Sequence, residues 1–213
     1  MTNVGDPVGA GLVASLARPG GNVTGLSSLS ELNTKRLEIL KDAVPKLSRV
    51  GLLLVAQTTG SSGLQVKDLR ATALALKLRL EEIATQADAK SLENAFQTAK
   101  QKQVGAIMTQ SARSFFAERK RIVELAGKYR LPAIYFAKEF VDDGGLMSYG
   151  ADYADLFRRA AVYVDKILKG AKPADLPVQQ ATKFDFVINL KAAKEIGLTL
   201  SPDFLTRANK VIK

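Results

Sequence analysis

Chemistry in this chain must come from carboxylates, hydroxyls and tyrosines, because neither histidine nor cysteine occurs among its 213 residues. That removes the Ser-His-Asp relay, Cys-His nucleophile pairs, the usual zinc sites and any disulfide framework. Glu139 with Asp142 and Asp143 has the residue types of an acid/base pair. The spacing favours a plainer reading, carboxylates that open a turn before Gly144-Gly145. No Asp/Glu cluster has metal-ligand spacing, and the hydroxyl-rich "QTTGSSG" lacks the glycine spacing and Gly-Lys-Ser/Thr of a phosphate loop. Neither a metal nor a cofactor is expected, and without a nucleophile-base pair the chain does not read as an enzyme.

The net charge is +10. Such an excess can attract nucleic acid or an anionic membrane, or it can coat solvated helix faces. The densest cluster, Arg119-Lys120-Arg121, is flanked by Glu118 and Glu124, and the chain has no long basic block and no aromatic-basic motif of the RRM type. Nucleic acid is therefore not expected as a partner. No apolar run approaches the roughly 18 residues of a membrane span. Gly9–Leu16 is apolar, but Asp6 stands where an export signal carries positive charge. The better expectation is a short helix, with Asp6 as N-cap, Pro7 at N1, Leu12, Val13 and Leu16 on one face, and Gly20 at its end.

The elements that must position any site follow from periodicity. An extended segment is expected around Val23–Leu26, then a helix capped by Ser30 with Leu32, Leu37, Leu40 and Val44 as its inner stripe. From Val50 onward short apolar runs recur: "VGLLLV" (50–55), the more alternating and hence edge-like "LRLEEIAT" (78–85), "VGAIMT" (104–109) and "LPAIYF" (131–136). Helical patterns fill the gaps, the clearest being Leu92, Ala95, Phe96 and Ala99, with another through Phe115, Ile122, Val123, Ala126 and Tyr129. Leu146–Tyr149 offers a further strand, followed by a helix with Leu156, Ala160, Tyr163, Val164 and Ile167 inward. "FDFVINL" reads as a strand, "KAAKEIGL" as a short helix, and Ser201-Pro202 as the cap of a last one. Strand-helix repeats of this length imply an α/β fold, a parallel sheet flanked by helices on both faces.

In such a sheet ligands bind beyond the carboxyl ends of the strands. The loops "AQTTGSSG", "TQSARS", "AKEF" and "SYGAD" would gather there. Tyr135 and Tyr149 stand at strand ends, where a ring either stacks on a ligand or closes the top of the core.

Long blocks of the chain, "DPVGAGLVASLARPGGNVTGLS", "KRLEILKDAVPKLSRVGLL", "RLPAIYFAKEFVDDGGLMSYG" and "LPVQQATKFDFVINLKAAKEIGLTL", resemble the ABC-transporter substrate-binding proteins of tryptophan/tyrosine type. The resemblance implies a type I periplasmic-binding fold in which two α/β lobes close on a small solute and hand it to a membrane permease. In that family the "DPVGAGL" block falls well into the chain, whereas here it starts at residue 6. The expected layout is thus a crossover segment over 1–48 belonging partly to a first lobe, a βα lobe over 49–170, and C-terminal crossover elements over 171–213. Strand-end logic, supported by family position, gives Gln57, Thr58, Ser61, Ser62, Ser111, Tyr135, Glu139, Tyr149 and Asp152 as ligand contacts, with Glu139 suited to an ammonium group.

The ligand expected is an amino acid or similar small polar compound, and no catalysis is implied. Residues 1–30 and 178–213 would bare apolar faces that a first lobe normally covers, so a homodimer is expected. The family implies a periplasmic or lipoprotein location; the chain as given carries no export signal, which makes a cytoplasmic location the other expectation. The alternative function is a ligand-sensing or interaction domain of the same fold.

Overall fold

Short buried apolar runs alternate with amphipathic segments from Arg49 onward, and they fold as strands and helices in that order. The computed structural model describes residues 1–2, 4–28, 32–56 and 62–213, with backbone alone for 62–65. In chain order it has β1 (Leu26–Ser27), α1 (Leu32–Ala43), β2 (Arg49–Val55), α2 (Ser62–Ala75), β3 (Arg79–Thr85), α3 (Ala89–Gln101), β4 (Ala106–Thr109), α4 (Arg113–Ala117), α5 (Arg119–Lys128), β5 (Ala133–Tyr135) and α6 (Glu139–Asp142). Then follow β6 (Met147–Ala151), α7 (Tyr153–Leu168), β7 (Gln179–Gln180), β8 (Phe184–Asn189), α8 (Leu190–Glu195), α9 (Pro202–Thr206) and β9 (Lys210–Ile212). No described helix is long and apolar enough to cross a membrane.

The described chain divides into two compact units. The larger takes residues 32–56, 66–150 and 185–213. Among the described residues its strands form one sheet in the order β3-β2-β4-β5-β6-β8-β9. The pairs β2–β3, β2–β4, β4–β5, β5–β6 and β8–β9 are all parallel. β3 alternates buried and exposed residues because it lies at the edge, while β2 is buried on both sides. One face carries Val50, Leu52, Met108, Ile134, Met147, Phe186 and Ile188 against Leu37 and Leu40 of α1, Ala192 of α8 and Phe204 of α9. The opposite face carries Tyr135 against Phe140 of α6. The fold class is therefore α/β, with a parallel sheet covered by helices on both faces. α3 is set by its capping box, in which Asp88 accepts from the Ser91 backbone and Ser91 reaches back to the Asp88 N–H, and by its buried stripe of Leu92, Ala95, Phe96 and Ala99.

The smaller unit takes residues 1–28, 62–65 and 151–184 of the described chain. β1 pairs in parallel with β7 through Leu26–Gln179 and Ser27–Gln180. Leu26, Ala151, Leu156, Tyr163 and Ala181 form its core. The Tyr163 hydroxyl donates to the Pro177 carbonyl at 2.5 Å, and burial raises its pKa.

Within these units α1 belongs with the sheet, because its inner leucines pack there, and residues 185–213 extend that sheet. α7 belongs to the smaller unit, where Leu156 and Tyr163 bury against β1 and the 176–184 segment.

Two helices also differ from expectation. Asp6 does cap a turn, its carboxylate accepting from the Gly9 N–H at 2.8 Å, but no helix follows. Gly11 turns at φ +69°, and of the expected face Val13 is buried while Leu12 remains 43% exposed, so the residues do not share one buried helical stripe. The pattern from Phe115 to Tyr129 is two helices broken at Glu118.

Candidate functional site

The sheet order places a topological switch point in the larger unit. From β2 the chain moves outward to β3, then returns past β2 to β4 and on to β5, so the strand order reverses between β2 and β4, the place where ligands bind in open parallel sheets. The loop after β4 begins with Gln110 and Ser111. Gln110 is buried, its backbone N–H donating to Leu53 O at 3.0 Å and its side-chain oxygen accepting from the Val55 N–H at 3.2 Å. It thereby ties the ends of β2 and β4 together at the switch point.

Arg36, from the first half of α1, reaches the same edge. It is only 3% exposed. Its Nε donates to the Tyr149 carbonyl at 2.8 Å, one Nη to Asn33 Oδ1 at 2.5 Å and the other to Ser111 Oγ at 3.3 Å. One guanidinium thus joins α1, the loop after β4 and the end of β6. A planar fork with five fixed donors suits this task, where a lysine would hold a single point.

The sequence-derived residues distribute unevenly over this frame. Ser111 and Tyr149 come together through Arg36, with the Ser111 side chain at the surface. The Tyr149 ring is half-buried and meets Phe186 edge-on, centroids 6.2 Å apart. Tyr135 is fully buried on the other face, because it pairs with Ser148 and not with Tyr149. Its ring stacks on Phe140 and burial pushes its hydroxyl pKa upward. Of the two roles open to Tyr135, its burial matches the closing of the core.

Glu139 opens α6 at the carboxyl edge of β5, and its Oε2 is buried with no hydrogen-bond partner among the described residues. Asp143 is held by Arg119 in an ion pair of 2.8 Å, while Asp142 is exposed, so the acidic trio is divided between separate tasks.

Asp152 lies in the smaller unit, where its carboxylate caps α7 by accepting from the Asp155 N–H at 3.0 Å. The neighbouring Asp155 is buried and gathers Arg158, Arg159 and Lys183 at 3.3, 3.7 and 3.2 Å. Gln57, Thr58 and Ser61 lie outside the described residues, and Ser62 is described only as the first backbone position of α2.

Arg36, Asn33 and Gln110 were not among the residues the sequence singled out. A signal for Arg36 was present: it lies four residues after Leu32 and four before Leu40, a charge on the core-facing stripe of a helix. One surface groove of the larger unit, about 480 Å³ and lined by Lys100, Val104, Lys128, Tyr129, Arg130 and Leu131, sits at the amino ends of β4 and β5, away from this edge; another, about 370 Å³, runs along β3 and α3 and takes in Ala56, Thr85 and Gln86 at the carboxyl ends of β2 and β3.

A family model, that of ABC transporter substrate binding proteins, matches residues 1–212. The chain belongs to that family. A curated relative, the tyrosine-binding protein of Clostridioides difficile (strain R20291), is 27% identical over 198 residues, which are 93% of this chain and 56% of the relative. The chain therefore spans a little over half of that relative's length. Among solved structures, the ABC domain from Streptococcus pneumonia in complex with L-Trp is 31% identical with a TM-score of 0.89, covering 100% of this chain and 70% of the other. A conserved domain protein from Vibrio cholerae is 30% identical, also at 0.89, covering 99% of this chain and 70% of the other. A LacI family transcriptional regulator from Bifidobacterium animalis, 12% identical at a TM-score of 0.59, shares the fold alone.

Proposed function

We propose that this substrate-binding family member is the solute-binding component of an ABC importer and that it takes an aromatic amino acid without transforming it. The observation that carries the reading is the family match over residues 1–212, in a chain whose switch point, among the described residues, is lined by the polar groups of Gln110 and Ser111. The ligand class rests on two relatives, one named for tyrosine and one solved with L-Trp. In this reading the larger unit supplies one wall of the ligand site, with Ser111, Glu139 and the loop after β2 at its rim. Delivery to a membrane permease is proposed for the whole protein, since the chain spans 56% of its curated relative. A homodimer is part of the same proposal. It is supported by the apolar side chains that α7 leaves in solvent, Phe157, Val164 and Leu168 among them.

Thermal melting of the chain against the twenty amino acids tests the binding reading. A ligand at 100 times its Kd is expected to stabilise the folded state by about 2.7 kcal/mol, with tyrosine and tryptophan giving the largest shifts. Equal melting curves with every amino acid at millimolar concentration would reject it.

A further inference from the structure

We infer that Arg36 is a positioning residue that turns Ser111 into a directed hydrogen-bond donor, and that the ligand group Ser111 meets is a carboxylate. The inference rests on the solute-binding reading and adds to it which atom of the solute this wall recognises.

The chemistry follows from the inventory of one hydroxyl. A serine Oγ has one proton to give and two lone pairs to accept with. Arg36 Nη occupies one lone pair at 3.3 Å, and the guanidinium is held in place by the Tyr149 carbonyl at 2.8 Å and by Asn33 at 2.5 Å. Accepting from a cation polarises the O–H and strengthens it as a donor. The Ser111 side chain is exposed at the carboxyl edge of β4, beside the switch point, so that donor faces the space a ligand would use. A polarised donor backed by a fixed positive charge selects an anionic acceptor over a neutral one and repels an ammonium group. An amino acid carries one group of each kind; this edge fits the carboxylate.

The arrangement also explains a charged residue on the inner face of α1. Burying a guanidinium is costly unless its donors are satisfied. Here three of its contacts are polar groups of the edge itself.

The test is calorimetric titration of the full chain with L-tyrosine and with L-tyrosine amide, for the unaltered protein, Ser111→Ala, Ser111→Thr, Arg36→Gln and the Ser111→Ala/Arg36→Gln double variant, each checked for an intact thermal transition. The unaltered chain is expected to prefer the free acid over the amide. Ser111→Ala should weaken L-tyrosine about tenfold or more and lose most of that preference, while Ser111→Thr, which keeps the hydroxyl, should retain both.

Arg36→Gln should reproduce the Ser111→Ala loss, and the double variant should lose no more than either alone. If Arg36→Gln does not fold, the alanine and threonine variants decide. An unchanged acid-to-amide preference in Ser111→Ala, or fully additive losses in the double variant, overturns the inference while leaving solute binding in place. Failure of the unaltered chain to bind any amino acid overturns both.

Discussion

The ring of Tyr135 lies flat on that of Phe140, with centroids 4.6 Å and planes 10° apart. The pair is buried at the carboxyl end of β5, where a ligand-facing tyrosine was expected, and its hydroxyl has no hydrogen-bond partner among the described residues. A buried hydroxyl without a partner costs free energy, whereas the ring contributes burial and stacking. Tyr135→Phe should therefore leave stability within about 1 kcal/mol of the unaltered protein, on the stabilising side, and should not change affinity for L-tyrosine. Chemical denaturation and titration together check this. A marked loss of affinity would return Tyr135 to the ligand site.

The same stack explains why residue 145 is glycine. A Cβ placed there would lie 2.6 Å from Cε2 of Tyr135 and 2.7 Å from the Phe140 carbonyl oxygen. The first atom belongs to a packed ring and the second to backbone, and neither can retreat cheaply. Gly145→Ala is expected to destabilise by about 1–3 kcal/mol through overpacking, measured as a lower denaturation midpoint. Gly127→Ala is the control, since an added Cβ there meets nothing within 4 Å and replaces a helical glycine.

How far the sequence could be read follows the range of the interactions involved. Val50–Val55 and the Leu92–Ala99 stripe are local patterns, and both became the expected elements. The turn at Asp6 was legible as a cap, but a cap alone does not sustain a helix when Leu12 of the expected apolar face stays in solvent. The tyrosines illustrate a sharper limit. Tyr135 and Tyr149 look equivalent in the sequence, yet the Tyr135–Ser148 register sends their rings to opposite faces of the sheet. Parity across strands is set by tertiary pairing and cannot be read from either strand. The contact between Arg36 and Tyr149 spans 113 residues, and Leu26 pairs with the distant Gln179, so neither was visible to local periodicity.

The pH response should be one-sided. With no histidine, no side chain of ordinary pKa titrates between about pH 5.5 and 8, so the thermal transition is expected to be flat there. Three carboxylates are held below their usual range: Glu81 chiefly by its hydrogen bond with Lys102, Asp88 by the Ser91 N–H, and Glu93 by Lys128. A lowered folded pKa gives stability that is present above the unfolded value and lost as pH falls through the folded one. Melting temperature should therefore decline below about pH 4.5, and Glu81→Gln should flatten part of that decline. Tyr135 has the opposite sign. Its raised pKa gives stability that is full below the unfolded value near 10 and lost above it, so Tyr135→Phe should blunt the alkaline limb only. A transition that moved through pH 6–7 would contradict the assignment.

Self-association should map to α7. Leu156 and Tyr163 bury one side of this helix, whereas Phe157, Val164 and Leu168 are 59%, 56% and 82% exposed. Positions 157, 164 and 168 are spaced by seven and four residues, so they form one stripe along the helix. The sequence pattern had placed Val164 inward, and its exposure leaves an apolar surface that a second copy would cover with the same stripe from a symmetry-related helix. Sedimentation at tens of micromolar, roughly the range where modest interfaces assemble, is expected to give a dimer. Phe157→Ser with Leu168→Ser should shift it to monomer while changing folding stability by no more than about 1 kcal/mol, since both side chains are already in solvent. A monomeric unaltered chain at that concentration removes the dimer from the proposal. A dimer untouched by the double substitution moves the interface off α7.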